Sequence, residues 1–435
     1  MREMKESNIP WVGPIPKEWN VGRIKQGYDV TLGKMYAAKE QQKEDGTLEN
    51  YLCAANIKWA GIDTSVHKQM YFTEKEKEQY LLNNGDAVVM EGGMAGTTCL
   101  YKGEYYPCYI QNSVHKISSK NNNSTLFFAY WMEVVCSSGY VENVCNKATI
   151  MHYTKDKVCN TPLLLIPVEE QNEIVGYLNE KCSVINSSIS RHQQIIEKLE
   201  EYRKSVITQA VTKGLDPNAE MKDSGNHLLG NIPADWVMKR LRNVAAIVRG
   251  GSPRPIDQYI TDGDGYNWIK IGDATGNGKY ITSTKQKIIK EGLSKTRIVN
   301  PGTLLLTNSM SFGHPYILQI TGCIHDGWLA FSDYREMIPE YLYYYLMAEP
   351  TMVQFKSSVD GSVVQNLNID KVKNAIIVCP SLTEQKAIVS YLDTVGGQVD
   401  ESIKKHAEII EKLKEYKQSI IYNAVTGKID CRVTE

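Results

Sequence analysis

The sequence runs to 435 residues, 42% hydrophobic and 23% charged, with a formal net charge of -1. That is chain enough for two or three soluble, cored domains, and no apolar run reaches the ~18 residues of a membrane span. Ten cysteines without CxxC pairs or other metal-ligand spacing argue against zinc and against a disulfide framework; reduced thiols and a cytoplasmic location are the expectation.

The chain opens on MKESNIPWVGPIPKEWNVGRI from Met4, without the apolar core of a signal peptide. The globular part that follows is a series of short apolar runs, such as DAVVM from Asp86, broken by glycine and polar turns, and reads as strands. From Asn20 to Asn83 it is charge-balanced, with 9 Lys/Arg against 9 Asp/Glu. From Glu169 to Thr212 there is no proline, and Ile185, Ile189, His192, Ile196, Leu199 and Val206 recur at spacings of three and four. Ile195 and Tyr202 widen that stripe. Glu, Lys and Gln fill the outer positions, so a helix is predicted; about 40 residues at 1.5 Å each reach roughly 60 Å.

After Gly214 the same pattern starts again. MKDSGNHLLGNIPADWVMKRL from Met221 repeats the opening segment 217 residues later, matching Ser7 to Ser224, Pro16 to Pro233, Trp19 to Trp236 and Arg23 to Arg240. A second strand-rich part follows, with YNWIKIGD from Tyr266 and GTLLLTNS from Gly302. Its stretch from Val237 to Asn300 carries 12 Lys/Arg against 5 Asp/Glu, a surplus that suits a nucleic-acid footprint or a solvated basic face equally. The chain then closes on a second helix from Thr383, whose stripe Val399, Ile403, His406, Ile410, Leu413 and Ile420 copies the first at an offset of 214. AVT occurs at the end of both helices, with Gly214 and Gly427 as terminators.

A repeat of this period means duplicated domains, not a solenoid. Neither helix buries its stripe alone, so the two are expected to pack together as an intramolecular coiled coil, with both histidines as packing residues. The frame is repeated, whereas the globular inserts share little beyond Gly33 with Gly250, Leu52 with Ile269 and Gly85 with Gly302. Catalytic motifs are missing: there is no nucleotide-binding loop, HExxH or G-x-S-x-G. Asp262, Asp264 and Asp273 sit among glycines and read as turn residues, as does CIHDGWL from Cys323. MEGGMAG from Met90 lacks a dinucleotide fingerprint. The chain reads as a binder that holds no cofactor or metal.

The duplicated helix, with the segment GLDPNAEMKDSGNHLLGNIPADW from Gly214 and the long run from Lys386 to Asp430, resembles the specificity subunit of type I restriction–modification systems over the whole chain. The resemblance implies an α+β fold with pseudo-two-fold duplication. Two mixed α/β target recognition domains are joined by two long helices packed as an antiparallel coiled coil. The expected divisions are 1–165 for the first recognition domain, 166–213 for the central helix and 214–236 for a linker. The second recognition domain then takes 237–380, and the distal helix and C-terminus 381–435. It further implies double-stranded DNA as ligand, read as a split asymmetric sequence. Two modification subunits using S-adenosylmethionine would methylate adenine N6, and restriction subunits using ATP and Mg²⁺ would join them, with no catalysis in this chain.

On residue type and position, Lys34, Lys39, Gln41, Gln42, Lys43, Asn56 and Lys58 are the candidate DNA contacts of the first insert. Those of the second are Arg249, Ser252, Arg254, Lys279, Lys285, Gln286, Lys287, Asn308, Ser309, Ser311 and His314, with Gln365 and Asn366 as a further loop and Lys295 as a phosphate contact. Each is as readily an ordinary surface residue. A coiled-coil scaffold that never touches DNA, or an enzyme hidden in one insert, are the rival readings.

Overall fold

The computed structural model describes residues 2–36, 46–145, 151–274, 278–308, 313–356 and 367–432. The chain forms two compact units, residues 1–191 with 409–435, and residues 192–408. Both predicted helices are present, Val168–Lys213 and Leu382–Val425, and each passes from one unit into the other along its length. Among the described residues no helix is long and apolar enough to cross a membrane.

Their stripe follows the 3.5-residue period of a coiled coil. On the central helix the inward positions include Leu178, Cys182, Ile185, Ile189, His192, Ile196, Leu199, Arg203 and Val206, alternating steps of four and three. On the distal helix Ile388, Leu392, Val399, Ile403, His406, Ile410, Leu413 and Ile420 face inward. Within the second unit His192 meets His406, with 2.7 Å between Nδ1 atoms, and Arg203 pairs with Asp400, so the helices run antiparallel there. Tyr202, expected to widen the stripe, is exposed. The seam passes through Arg203 instead, and a strict heptad turns the neighbouring residue outward.

The first unit holds an antiparallel sheet in the order Thr98–Leu100, Ala87–Met90, Val114–Ser119, Tyr28–Leu32. A second sheet sets Gly46–Leu52 between Cys108–Ile110, parallel to it, and Gln69–Thr73, antiparallel. The second unit repeats the plan with more strands. Pro315–Leu318, Leu304–Thr307, Trp328–Ser332 and Ala246–Arg249 form the antiparallel series, and Tyr266–Ile269 pairs in parallel with Gly322–Ile324. Even the register is shared: Tyr51 and Leu52 face Tyr109 and Ile110 in one unit, Trp268 and Ile269 face Cys323 and Ile324 in the other. The inserts, so different in sequence, are copies in topology. YNWIKIGD is a strand only to Ile269, because Asp273 accepts the Lys270 N–H (2.8 Å) and starts a short 3-10 helix.

Three repeated side chains fasten each insert to its helix. Trp19 is fully buried and donates its indole N–H to Glu170 (2.9 Å), and Trp236 does the same to Glu384 (3.0 Å). Buried Gln171 and Gln385 follow those glutamates. Gln171 accepts the Ser124 N–H and donates to the Ile166 carbonyl, and Gln385 accepts the Ile338 N–H and donates to the Pro380 carbonyl. A buried amide with both ends satisfied holds position without a desolvation penalty. At the other end of each helix, Gly214 and Gly427 have φ of +78° and +72°, the left-handed stop expected of them. Lys213 then donates to the Leu229 carbonyl, and Lys428 donates to the Val12 carbonyl, both at 2.7 Å. The segment 214–236 is thus packed into its unit, with Leu229, Ile232 and Trp236 in the core, as 2–19 is in the other.

Candidate nucleic-acid interface

Each insert ends its first strand on a glycine that has no room for a side chain. A Cβ on Gly33 would lie under 3.0 Å from the carbonyl oxygens of Ile110 and Gln111, and one on Gly250 equally close to those of Ile324 and His325. The loop leaving each glycine is thereby pressed onto the turn after the parallel strand. These two loop-and-turn surfaces are equivalent in the duplicated plan, and of the sequence candidates Lys34, Arg249, Ser252 and Arg254 lie on them.

In the first unit the loop begins with Lys34, Met35 and Tyr36, the last two exposed. Tyr36, Tyr51, Cys53, Lys68, Gln69 and Gln111 line a polar cleft of about 520 Å³. Beside it Asn50 Oδ1 takes bonds from Gln69 Nε2 and the His67 ring, both at 3.0 Å. Amides with side-chain donors and acceptors near the surface are the groups that read base edges. Lys68 and Gln69 meet Gln111 only through folding, so the three are not legible as a group in the sequence; the buried neighbours Met70 and Ile110, next to Gln69 and Gln111, are the available signal.

Two first-insert candidates are corrected. Asn56 is fully buried: its Oδ1 accepts the Cys53 N–H (3.0 Å), and its Nδ2 donates to the carbonyls of Asp63 and Val66. It caps the short helix Ala54–Asn56, as Asp273 does for its counterpart, and has no hand for DNA. Lys34 is spent on the Tyr71 carbonyl and Glu76, both at 2.6 Å, and lies over the Phe72 ring. Lys58 is exposed beside exposed Trp59. Lys39, Gln41, Gln42 and Lys43 lie outside the described residues, as do Ser309, Ser311, Gln365 and Asn366 in the second insert.

In the second unit Arg249, Ser252 and Arg254 come together around Asp326, in the turn on which Gly250 rests. Ser252 Oγ donates to Asp326 Oδ1 (2.7 Å), Arg249 Nε donates to the Asp326 carbonyl (2.9 Å), and Arg254 approaches its carboxylate at 3.5 Å. The Ser252 hydroxyl holds the Asp326 carboxyl below its ordinary range, so it stays ionised. Arg297, which sequence reasoning passed over, joins this group from the neighbouring sheet by donating Nε to the Arg249 carbonyl (3.2 Å). Lys295, the expected phosphate contact, reaches the Tyr259 hydroxyl (2.8 Å) and leans on its ring.

The remaining candidates separate. Lys279 is corrected: its ammonium is bound to Asp393 of the distal helix at 2.7 Å and enclosed by Tyr343 and Tyr344, leaving its side chain 11% exposed. Gln286 accepts a bond from Lys270 (2.6 Å), Lys285 is exposed and Lys287 half-buried. Asn308 is also corrected as a surface contact, since it is buried, its Oδ1 without a partner among the described residues. His314 is exposed and lines a different, 910 Å³ cleft against Thr208 and Lys204 of the central helix. His325 stands between the N–H groups of Ile271 and Gly327 as a turn-stabilising residue, in keeping with the turn read at CIHDGWL. Among the described residues no group of three or more His, Cys, Asp or Glu is placed to hold a metal, and all ten cysteines are free.

Two copies of one domain plan, each exposing a polar loop-and-turn face and clamped to a shared pair of helices, define a duplicated recognition module. The family model for the type I restriction modification DNA specificity domain matches residues 16–201 and again 233–415, so the chain belongs to that family of DNA sequence-specificity subunits. It is 24% identical over 427 residues to the MjaVIII specificity subunit of Methanocaldococcus jannaschii, spanning 95% of this chain and 94% of the relative. To the EcoBI specificity subunit of Escherichia coli it is 24% identical over 375 residues, covering 82% of this chain and 77% of that one. Among solved structures it matches a chain from a type I R-M system studied for complex assembly and conformational transition, at TM-score 0.72 and 17% identity over 95% of this chain and 99% of that one. It also matches the HsdS subunit from Thermoanaerobacter tengcongensis, at TM-score 0.51 and 18% identity over 95% and 98%.

Proposed function

We propose that each insert reads one half of a split, asymmetric DNA sequence, and that this chain directs adenine-N6 methylation and restriction carried out by partner subunits. The observation that carries this reading is the duplicated frame with two unlike faces. Matching registers and matching Trp–Glu and Gln clamps repeat, while the face chemistry is amide and aromatic in one copy and guanidinium in the other. A scaffold needs the frame but gives no reason for two different faces. In this reading two modification subunits holding S-adenosylmethionine dock on the chain, restriction subunits using ATP and Mg²⁺ join them, and this chain itself is non-catalytic. The helix pair acts as the ruler, fixing the number of unread bases between half-sites through its length of 1.5 Å per residue.

Sequencing modified bases in DNA from cells that hold this chain with its methylating subunits tests the proposal. The expected result is one split motif with modified adenine in both halves; DNA with no motif modified in dependence on this chain overturns it.

A further inference from the structure

The guanidinium cluster of the second insert has a geometry that phosphate binding does not require. Arg249 and Arg297 are exposed, yet each is fixed through Nε to a backbone carbonyl, Arg249 to that of Asp326 and Arg297 to that of Arg249. Those carbonyls belong to rigid parts: the turn seating Gly250, and the strand Ala246–Arg249 paired to Trp328–Ser332. An arginine held by Nε keeps its two terminal nitrogens, and with them a planar fork pointing one way. Arg254, with 81% of its side chain exposed, approaches the Asp326 carboxylate at 3.5 Å in the same turn. Lysines such as Lys285 and Lys290 lie exposed in the same region and supply loose positive charge of the kind phosphates accept. A pre-set fork matches the paired O6 and N7 acceptors that guanine alone presents in the major groove.

We infer that Arg249 and Arg297 are specificity-determining residues that read guanine in the half-site assigned to the second insert, with Arg254 steering the duplex toward them. The inference rests on the DNA-reading role proposed above. The first insert has no such fork: by the same register Leu32 stands at the position of Arg249 and Tyr80 at that of Arg297. Guanine reading by this device is therefore confined to one half-site.

The test is selection from a random duplex pool by the full chain together with its methylating subunits, for wild type, Arg249→Lys, Arg297→Lys and the control Lys285→Gln. The lysine variants keep the charge and remove the fork, and both positions are exposed, so folding is preserved. Wild type is expected to enrich a split sequence with guanine in one half. Each lysine variant is expected to lose about 10-fold or more of its preference at one guanine position while the other half-site stays unchanged. Lys285→Gln is expected to lower affinity evenly without altering the motif. An unchanged motif in both lysine variants, or a half-site pair without guanine, overturns the inference while leaving the two-insert reading in place. A pool with no enriched sequence overturns that reading and the inference with it.

Discussion

Where the first insert carries Leu32, Tyr80, Gln111 and Asn112, the second carries Arg249, Arg297, His325 and Asp326 at the corresponding positions of the same two sheets. One plan thus presents a cleft of amides and aromatic rings in one copy and three arginines linked through the Arg249 strand end and the Asp326 turn in the other. The strands common to both keep one order and one register. Residues that fix the backbone answer to neighbours inside the domain, whereas those on the loop-and-turn face answer only to what binds there. Sequence diverges through both inserts, yet the strand register is kept, so what differs in exposed chemistry at equivalent places is the loop-and-turn face.

The largest effect belongs to the clamps. Trp19→Ala and Trp236→Ala each remove a buried ring and its bond to a glutamate, of which Glu170 keeps Arg2 as a partner, and each is expected to cost about 3–5 kcal/mol. Hydrogen exchange should show protection lost in the first unit for one variant and the second for the other, by similar amounts. With two units, a single melting temperature would blur the result.

Acid should separate the units next. His115 is buried in the first unit, donating to the Tyr153 carbonyl at 2.8 Å, and burial pushes it down to about 4. Its counterpart in the second is the apolar Leu329. Below its ordinary value of about 6.5 the unfolded imidazole takes up a proton that the folded one refuses. Stability present at neutral pH is therefore lost as pH falls towards 4, by up to about 3 kcal/mol. Exchange protection of the first unit should fall across that window, and His115→Leu should remove that part of the decline.

Gly33→Ala and Gly250→Ala force a methyl against carbonyl oxygens and are each expected to cost about 1–3 kcal/mol, read as a lower denaturant midpoint for that unit. The smallest effect lies at the seam. One of the paired His192 and His406 donates and the other accepts, so either single change to Leu leaves a partner unpaired at about 1 kcal/mol. The double change to Leu should recover most of it, which a double-mutant cycle measures.

The frame was legible in the sequence because its parts are periodic or repeated. The helix stripe needs only spacing, and the offset of 214 that aligns Ile196 with Ile410 also places His192 against His406. The clamps were visible as matched Trp19 and Trp236 and as the repeat EEQNEIVGYL with TEQKAIVSYL, but the pairing of each tryptophan with a glutamate about 150 residues away was not. The faces were legible only in part. By type and position Lys34 and Lys279 read as DNA contacts, but their charges are held by Glu76 and Asp393, 42 and 114 residues distant. Asn56 has a base-reading side chain by type and a helix cap by position. Arg297 lies 48 residues from the carbonyl that orients it, so only folding reveals it as part of the RGGSPR group. Side-chain type names a possible contact, and long-range pairing decides whether the contact is still available.

The most direct measurement of the central claim is a chimera in which residues 28–118 are replaced by 245–332, giving both frames the second face. Modified-base sequencing in cells holding it with the methylating subunits should find a motif made of two copies of the second half-site, with the original first half-site gone. A methylated motif that keeps the original first half would contradict the account, because sequence choice would then reside in the frame and not in the faces it carries.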